Sequence, residues 1–168
     1  MINESRNPEI SILPARLDDL NAIMLLERSG FPAAEQWSEL SWQGELLGER
    51  RTILIARAQR PVGVISIKAL GEVADVHRIV VEPKSRRRGI GTDLVREGLE
   101  IVRQLGVREV ILDVAYYNEP AIGLYQQLGF EQLSARRDYY GPDQHALILK
   151  LYDLQTWPSR LATLTGEL

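Results

Sequence analysis

The residues best placed for chemistry are a carboxylate, a phenol and a pair of glycines. Asp113 interrupts the apolar run Val110-Ile111-Leu112-Asp113-Val114, and a carboxylate among such neighbours is costly unless it is paired or used. It alternates with Leu112 and Val114, so it faces the other side of the strand. A general base and a buried structural acid both fit that position. Tyr125, in Ala121-Ile122-Gly123-Leu124-Tyr125, offers a phenol that is neutral at pH 7. It can give a proton or simply fill a helix–sheet gap. The glycines belong to Arg86-Arg87-Arg88-Gly89-Ile90-Gly91-Thr92, between a strand and a helix start. There the backbone can approach a ligand while unpaired N–H groups and the helix dipole point outward, a ready anion site. A Gly-x-x-x-x-Gly-Lys phosphate loop is excluded because no lysine follows Gly91. A dinucleotide fingerprint is excluded because Leu94 stands where its third glycine belongs. A plain tight turn remains the bland alternative, and the arginines read either as a solvated basic turn or as phosphate contacts.

Other chemistries are closed by what is missing. The chain has no cysteine, which removes disulfides, thiolate metal sites, iron–sulfur clusters and acyl-cysteine intermediates. Its only histidines, His77 and His145, lie far apart, so no metal site is expected. His77 reads as a packed or surface residue. No Gly-x-Ser-x-Gly elbow occurs. A net charge of −3 gives no pull toward nucleic acid or an anionic membrane. No apolar run approaches the roughly 18 residues of a membrane span. The first residues lack the order of a signal peptide, so a cytoplasmic location is expected. At 168 residues and 45 % hydrophobic content, one domain with a sizeable core is expected over 9–151. Residues 1–8 read as an extension and 152–168 as a tail that packs back.

The elements that must position these residues follow from periodicity. Ile10 and Ile12 mark a short strand ending at Pro14; Leu17, Leu20, Ile23 and Met24 recur at helical spacing until Gly30. A second helix is predicted from Ser38 to Gly48. Strands at Thr52–Ala58 and Val62–Ala69 form a near-hairpin, and Val73–Val81 follows. Ile90 to Leu105 is a helix stopped by Gly106. Val110–Ala115, nearly all apolar, reads as a strand buried on both faces. Strand, helix and strand make a βαβ crossover, so two strands can be parallel. Asn118 caps the next helix, which Gly129 closes, and a hairpin of Phe130–Arg137 and Ala146–Leu151 ends the pattern. The fold class is α+β (mixed α/β). Its centre is a mixed, mostly antiparallel sheet in a three-layer arrangement, with one parallel crossover and helices on both faces.

In that context Arg86-x-x-Gly89-x-Gly91 resembles the pyrophosphate loop of the GCN5-related N-acetyltransferase (GNAT) superfamily, whose fold the order of elements also resembles. The resemblance implies acetyl-coenzyme A as co-substrate. Main-chain N–H groups of Arg86, Arg88, Gly89, Gly91 and Thr92 would hold its pyrophosphate, and the main chain of Ile79, Val80 and Val81 its pantetheine arm. Asn118-x-x-Ala121-x-x-x-Tyr125-x-x-x-Gly129-Phe130 is similar to the second motif of the superfamily, in which the Asn contacts the coenzyme and the Tyr protonates its thiolate. The chain looks most like the ribosomal-protein-alanine N-acetyltransferases of bacteria. There a Glu serves as base at the position of Asp113, which is one methylene shorter and would need a bridging water if the distance grows. Arg136-Arg137-Asp138-Tyr139-Tyr140, followed by Asp143-Gln144-His145-Ala146, resembles the phrase by which N-terminal acetyltransferases shape a peptide slot with Tyr139 and Tyr140. Phe31-Pro32 and Trp37-Ser38 resemble a Phe-Pro-Trp-Ser phrase, which assigns Phe31 and Trp37 to the same slot, but Ala33–Gln36 splits it. Ala115, in place of a common Arg, and His145, in place of an acid, are further departures.

The reading that results is direct acetyl transfer to a protein N-terminal amine, in a ternary complex. The partners are acetyl-coenzyme A and a peptide N-terminus, with a ribosomal protein as the implied candidate, and neither nucleic acid nor membrane. An α-amine of pKa near 8 suits a weak base better than a lysine near 10.4. The rivals are a lysine or small-amine acetyltransferase and a non-catalytic acyl-coenzyme A-binding module.

Overall fold

A computed structural model describes residues 9–157; the expected extension 1–8 and residues 158–168 of the tail lie outside the described residues. The elements are β1 (Ser11–Pro14), α1 (Leu20–Gly30), α2 (Glu39–Leu47), β2 (Arg51–Arg57), β3 (Pro61–Leu70), β4 (Val73–Val81), α3 (Ile90–Gln104), β5 (Glu109–Ala115), α4 (Glu119–Gln127), β6 (Glu131–Arg136) and β7 (Ala146–Leu151). The strands form one sheet in the order β1-β2-β3-β4-β5-β7-β6. Pairing is antiparallel except where β4 runs parallel to β5, Val73 opposite Glu109 through Asp75 opposite Ile111. The mixed, mostly antiparallel sheet is therefore as the sequence predicts. The position of β7 between β5 and β6 is not something the alternation pattern could supply.

The chain forms two compact units, residues 9–68 with 77–101 and residues 69–76 with 102–157. In the first, Ile53–Ala56 and Val62–Ile67 are buried without a break. Successive strand residues point to opposite faces, so both faces of this part of the sheet are covered. Ile23, Met24 and Trp42 from α1 and α2 pack with Ile53, Ile55, Val64 and Val80. On the opposite face, α3 lies so close that a Cβ on Gly98 would come within 2.5 Å of Ile67 Cδ1.

The second unit is different. Val110, Leu112 and Val114 are buried, but Ile111 is half-buried and Asp113 exposed. The expectation of a strand buried on both faces is corrected: an apolar run does not by itself recruit a second covering layer. Asp113 sits directly opposite Ile148 of β7, itself half-buried, on the open face. The buried-acid reading of Asp113 falls with it. Asn118 does cap α4, its side chain accepting the Ala121 N–H. After β7, Trp157 is buried, with its indole N–H donating to the Leu128 carbonyl at 2.7 Å.

Candidate active site

The glycine turn belongs to the first unit. Gly89 has φ +79° and Arg87 φ +64°, two left-handed residues that reverse the chain just before α3. Nothing lies within 4 Å of where a Gly89 Cβ would be, so the turn is open above its backbone. The first N–H groups of a helix have no partner inside it, and α3 begins at Ile90, directly after this turn. Fixed N–H donors beside exposed arginines fit an anionic pyrophosphate. Arg86 departs in one respect from what its motif implies. Its N–H donates back to the Pro83 carbonyl at 3.4 Å, while its guanidinium donates to the Val81 carbonyl at 3.1 Å. The side chain thus ties the turn to the end of β4, the strand whose Ile79–Val81 backbone was assigned to the pantetheine arm.

Two carboxylates that the sequence reading passed over organise the same unit. Glu27 of α1 is fully buried. It accepts the Trp37 N–H at 2.8 Å, the Trp42 indole N–H at 3.1 Å and two nitrogens of Arg78. Glu45 of α2 accepts from Ser66 at 2.6 Å and from Arg51 at 3.1 Å, and meets His77 Nδ1 at 3.1 Å. Burial alone would raise the Glu45 pKa; the bonds from His77 and Ser66 and the charges of His77 and Arg51 outweigh it and bring it from 4.5 to about 2. His77 and Arg78 are neighbours in β4, yet both turn toward α1 and α2. A signal was present for Glu27: it continues the spacing of Leu20, Ile23 and Met24 on the buried face of α1. His77 and Arg78 are the cations that make such acids affordable.

The second unit holds the proposed acid and base. Asp113 Oδ2 accepts a hydrogen bond from the Tyr140 hydroxyl, which reaches it from the β6–β7 connection. Burial and this bond to a charged acceptor push the Tyr140 pKa up, so the phenol stays protonated and donating. Tyr125, on α4, is 5 % exposed and packs edge-on against Phe130 with ring centroids 5.6 Å apart. Burial, and then the charge of Asp113, raise its pKa. Tyr125 therefore stays protonated and does not serve as a base near neutral pH. Tyr139 stacks edge-on with Tyr140, centroids 5.1 Å apart, and is about half exposed. The Asp113 carboxylate and two phenols that are protonated near neutral pH thus belong to this unit. Asn118 spends its Oδ1 on the helix cap, which leaves its amide N–H groups for a ligand. Asp138, Asp143 and His145 bring ligand-type atoms within 4.8 Å of one another. Two of these side chains are already engaged: His145 Nδ1 accepts the Asp138 N–H, and Asp138 Oδ1 accepts the Asp143 N–H. That cluster closes a turn.

Phe31 and Trp37 lie in the first unit beside Arg78, whose guanidinium carbon is 3.5 Å from the Phe31 ring centroid and 5.0 Å from that of Trp37. The partnership of Arg78 with both rings had no sequence signal, since nothing in the spacing joins residue 78 to residues 31–37.

Comparison with known proteins gives a consistent picture. Residues 15–130 match the acetyltransferase (GNAT) family. The chain is 32 % identical over 131 residues to the [ribosomal protein bS18]-alanine N-acetyltransferase of Salmonella typhimurium, covering 72 % of this chain and 88 % of the relative. It is 35 % identical over 120 residues to the N-alpha-acetyltransferase RimI of Mycobacterium tuberculosis, covering 68 % and 74 %. The crystal structure of the ribosomal-protein-S18-alanine N-acetyltransferase from Escherichia coli superposes with a TM-score of 0.79 at 26 % identity, covering 86 % of this chain and 94 % of that one.

Proposed function

Because the chain belongs to the acetyltransferase (GNAT) family and is an N-acetyltransferase, we propose that it moves an acetyl group from acetyl-coenzyme A to the N-terminal α-amine of a protein. Transfer is direct, with both substrates bound. The observation that carries this reading is the exposed carboxylate of Asp113 met by the Tyr140 hydroxyl. It sets the tyrosine pair beside the proposed base, where the first residue of an acceptor must lie if its amine is to be deprotonated. The relatives named for alanine and N-alpha acetylation support the same acceptor class.

The chemistry asked of each group is modest. With Oδ2 occupied, Asp113 takes the amine proton at Oδ1, directly or through one water. An α-amine of pKa near 8 is already partly neutral at pH 7, so a carboxylate suffices as acceptor. As the nitrogen–carbonyl bond forms and the carbon–sulfur bond breaks, the Tyr125 phenol gives its proton to the departing sulfur. Acetyl-coenzyme A and a free amine become coenzyme A and an amide, and Tyr125 is reprotonated from solvent as Asp113 releases the proton it took. The turn at Gly89 and Gly91 holds the pyrophosphate.

Mass spectrometry on peptides beginning with Ala, Ser, Met or Thr, each containing one lysine, tests the acceptor. Acetyl groups are expected on the α-amine alone. Modification of the lysine, or of free small amines but no peptide, contradicts the reading.

A further inference from the structure

Four tyrosines of the second unit leave much of their rings in solvent: Tyr116 is 47 % exposed, Tyr117 52 %, Tyr139 48 % and Tyr140 40 %. They come as two edge-on pairs. Tyr116 and Tyr117, from the turn after β5, meet at 82° with centroids 5.5 Å apart; Tyr139 and Tyr140, from the β6–β7 connection, meet at 75°. The pairs are tied together. The Tyr116 ring lies 5.3 Å from that of His145, in the same connection, and the Tyr117 phenol is near enough to Tyr140 to help push its pKa up. Asp113, bonded to Tyr140, pairs with no cation among the described residues. Tyr116 and Tyr117 take no part in the transfer chemistry above, and rings present only for packing would be covered.

We propose that these rings and Asp113 form an aromatic-walled site for an organic ammonium group, in which Tyr116 and Tyr117 are binding residues that take the acceptor amine as its cation. That the cation is a peptide N-terminus rests on the acceptor reading above; the site itself lies wholly within the second unit. A ring face attracts a cation held within about 6 Å of its centroid. Rings set near a right angle bound a corner with a face on each side. One ring of the group already does this inside the protein, since the Arg136 guanidinium carbon lies 5.4 Å from the Tyr139 centroid. The Tyr140 hydroxyl donates to a carboxylate, which pushes electron density onto its ring. Asp113 Oδ1 adds a full charge. A neutral ligand would leave that carboxylate unused, and an anion would meet Asp113 and the exposed Asp138 and Asp143. An α-amine of pKa near 8 is about nine-tenths protonated at pH 7, so a site for the cation recruits the abundant form.

The probe is a peptide beginning with Nα-trimethylalanine, whose permanent charge can be neither deprotonated nor acetylated. Its neutral counterpart carries a tert-butyl group in place of the trimethylammonium. Calorimetric titration of the intact protein, saturated with coenzyme A, should show the charged peptide binding at least about tenfold tighter, as a carboxylate and a cation–π contact together supply. Y117L should weaken the charged peptide about 2–30-fold, the range of one cation–π contact, and leave the neutral one within about twofold. Y117F keeps the ring and should hold the charged peptide within about twofold of the original. Equal affinity for the two peptides, no measurable binding of the charged one, or a Y117L that weakens both alike overturns the proposal. So does a Y117F that falls as far as Y117L, because the hydroxyl and not the ring face would then hold the ligand. Tetramethylammonium chloride, titrated against sodium chloride at equal ionic strength, separates this from a failure of the acceptor reading. A protein that acetylates no peptide yet binds tetramethylammonium, and binds it more weakly as Y117L, loses that reading and keeps the site.

Discussion

The carboxylates of the two units are used in opposite ways. Glu27 is sealed from water and accepts from Trp37, Trp42 and Arg78, and Glu45 is nearly as enclosed among Ser66, Arg51 and His77. Asp113 stands in solvent with a single phenol on one oxygen. A buried acid saturated with donors has no capacity left for a substrate proton and holds helices to strands instead. An acid with one oxygen uncommitted keeps that capacity and contributes little to the fold. Burial and the donor count around each acid, more than residue type, separate framework from chemistry here.

The largest effect expected from testing this contrast is at Tyr125. Tyr125→Phe keeps the ring against Phe130 and deletes only the hydroxyl. Turnover should fall about 10²–10⁴-fold, the usual range for general acid catalysis, with little change in either Michaelis constant. A fully active variant would assign the proton donor elsewhere. Next comes Glu27→Ala, which leaves the Arg78 guanidinium without its carboxylate. A loss of about 3–5 kcal/mol is expected from breaking a buried pair, read as a shift in the urea midpoint at unchanged slope. A loss below about 1 kcal/mol, the range of exposed pairs, would remove the distinction between the two kinds of carboxylate.

Glu45 sharpens the same contrast through pH. Its pKa falls from 4.5 to about 2 on folding, so the stability it contributes is fully present above about pH 5 and lost as pH drops toward 2. Glu45→Gln should therefore cost about 3 kcal/mol at pH 6, and the gap between the two proteins should close as pH approaches 2. A constant gap would mean that shape, not charge, is what the glutamate supplies. The smallest effect is expected at Tyr140, whose hydroxyl bonds an exposed partner. Tyr140→Phe should leave the melting temperature nearly unchanged and raise KM for a peptide a few-fold, about what one hydrogen bond of roughly 1 kcal/mol supplies.

How much of this was legible in the sequence depends on the range of the contact. Apart from α1, whose spacing begins at Leu17 but which starts at Leu20 after a short 3-10 turn, every helix and strand stands within one or two residues of where periodicity and capping residues place it. Ser38 and Asn118 cap their helices through local side-chain bonds of the kind their positions suggest. The superfamily follows from two short phrases, each contiguous in the chain. What could not be read was the pairing of distant residues. Tyr140 with Asp113 and Arg78 with Glu27 join positions 27 and 51 apart. The exposure of Asp113 depends on whether a second layer covers β5, which a strand does not encode in its own pattern. The acids on the buried faces of α1 and α2 were visible as polar breaks in apolar spacing, but their meaning required knowing that His77 and Arg78 both turn toward them.

The most direct test of the account is Asp113→Asn, with turnover on an Ala-first peptide and melting temperature measured on the same preparation. The exchange keeps size and shape while removing the charge proposed to accept a proton. A solvent-exposed acid kept for chemistry predicts a fall in turnover of about 100-fold or more, with acetyl-coenzyme A affinity intact and a melting temperature within a few degrees of the original. A protein that melts much lower and still turns over at nearly its original rate would contradict the account, because Asp113 would then belong with Glu27 and Glu45.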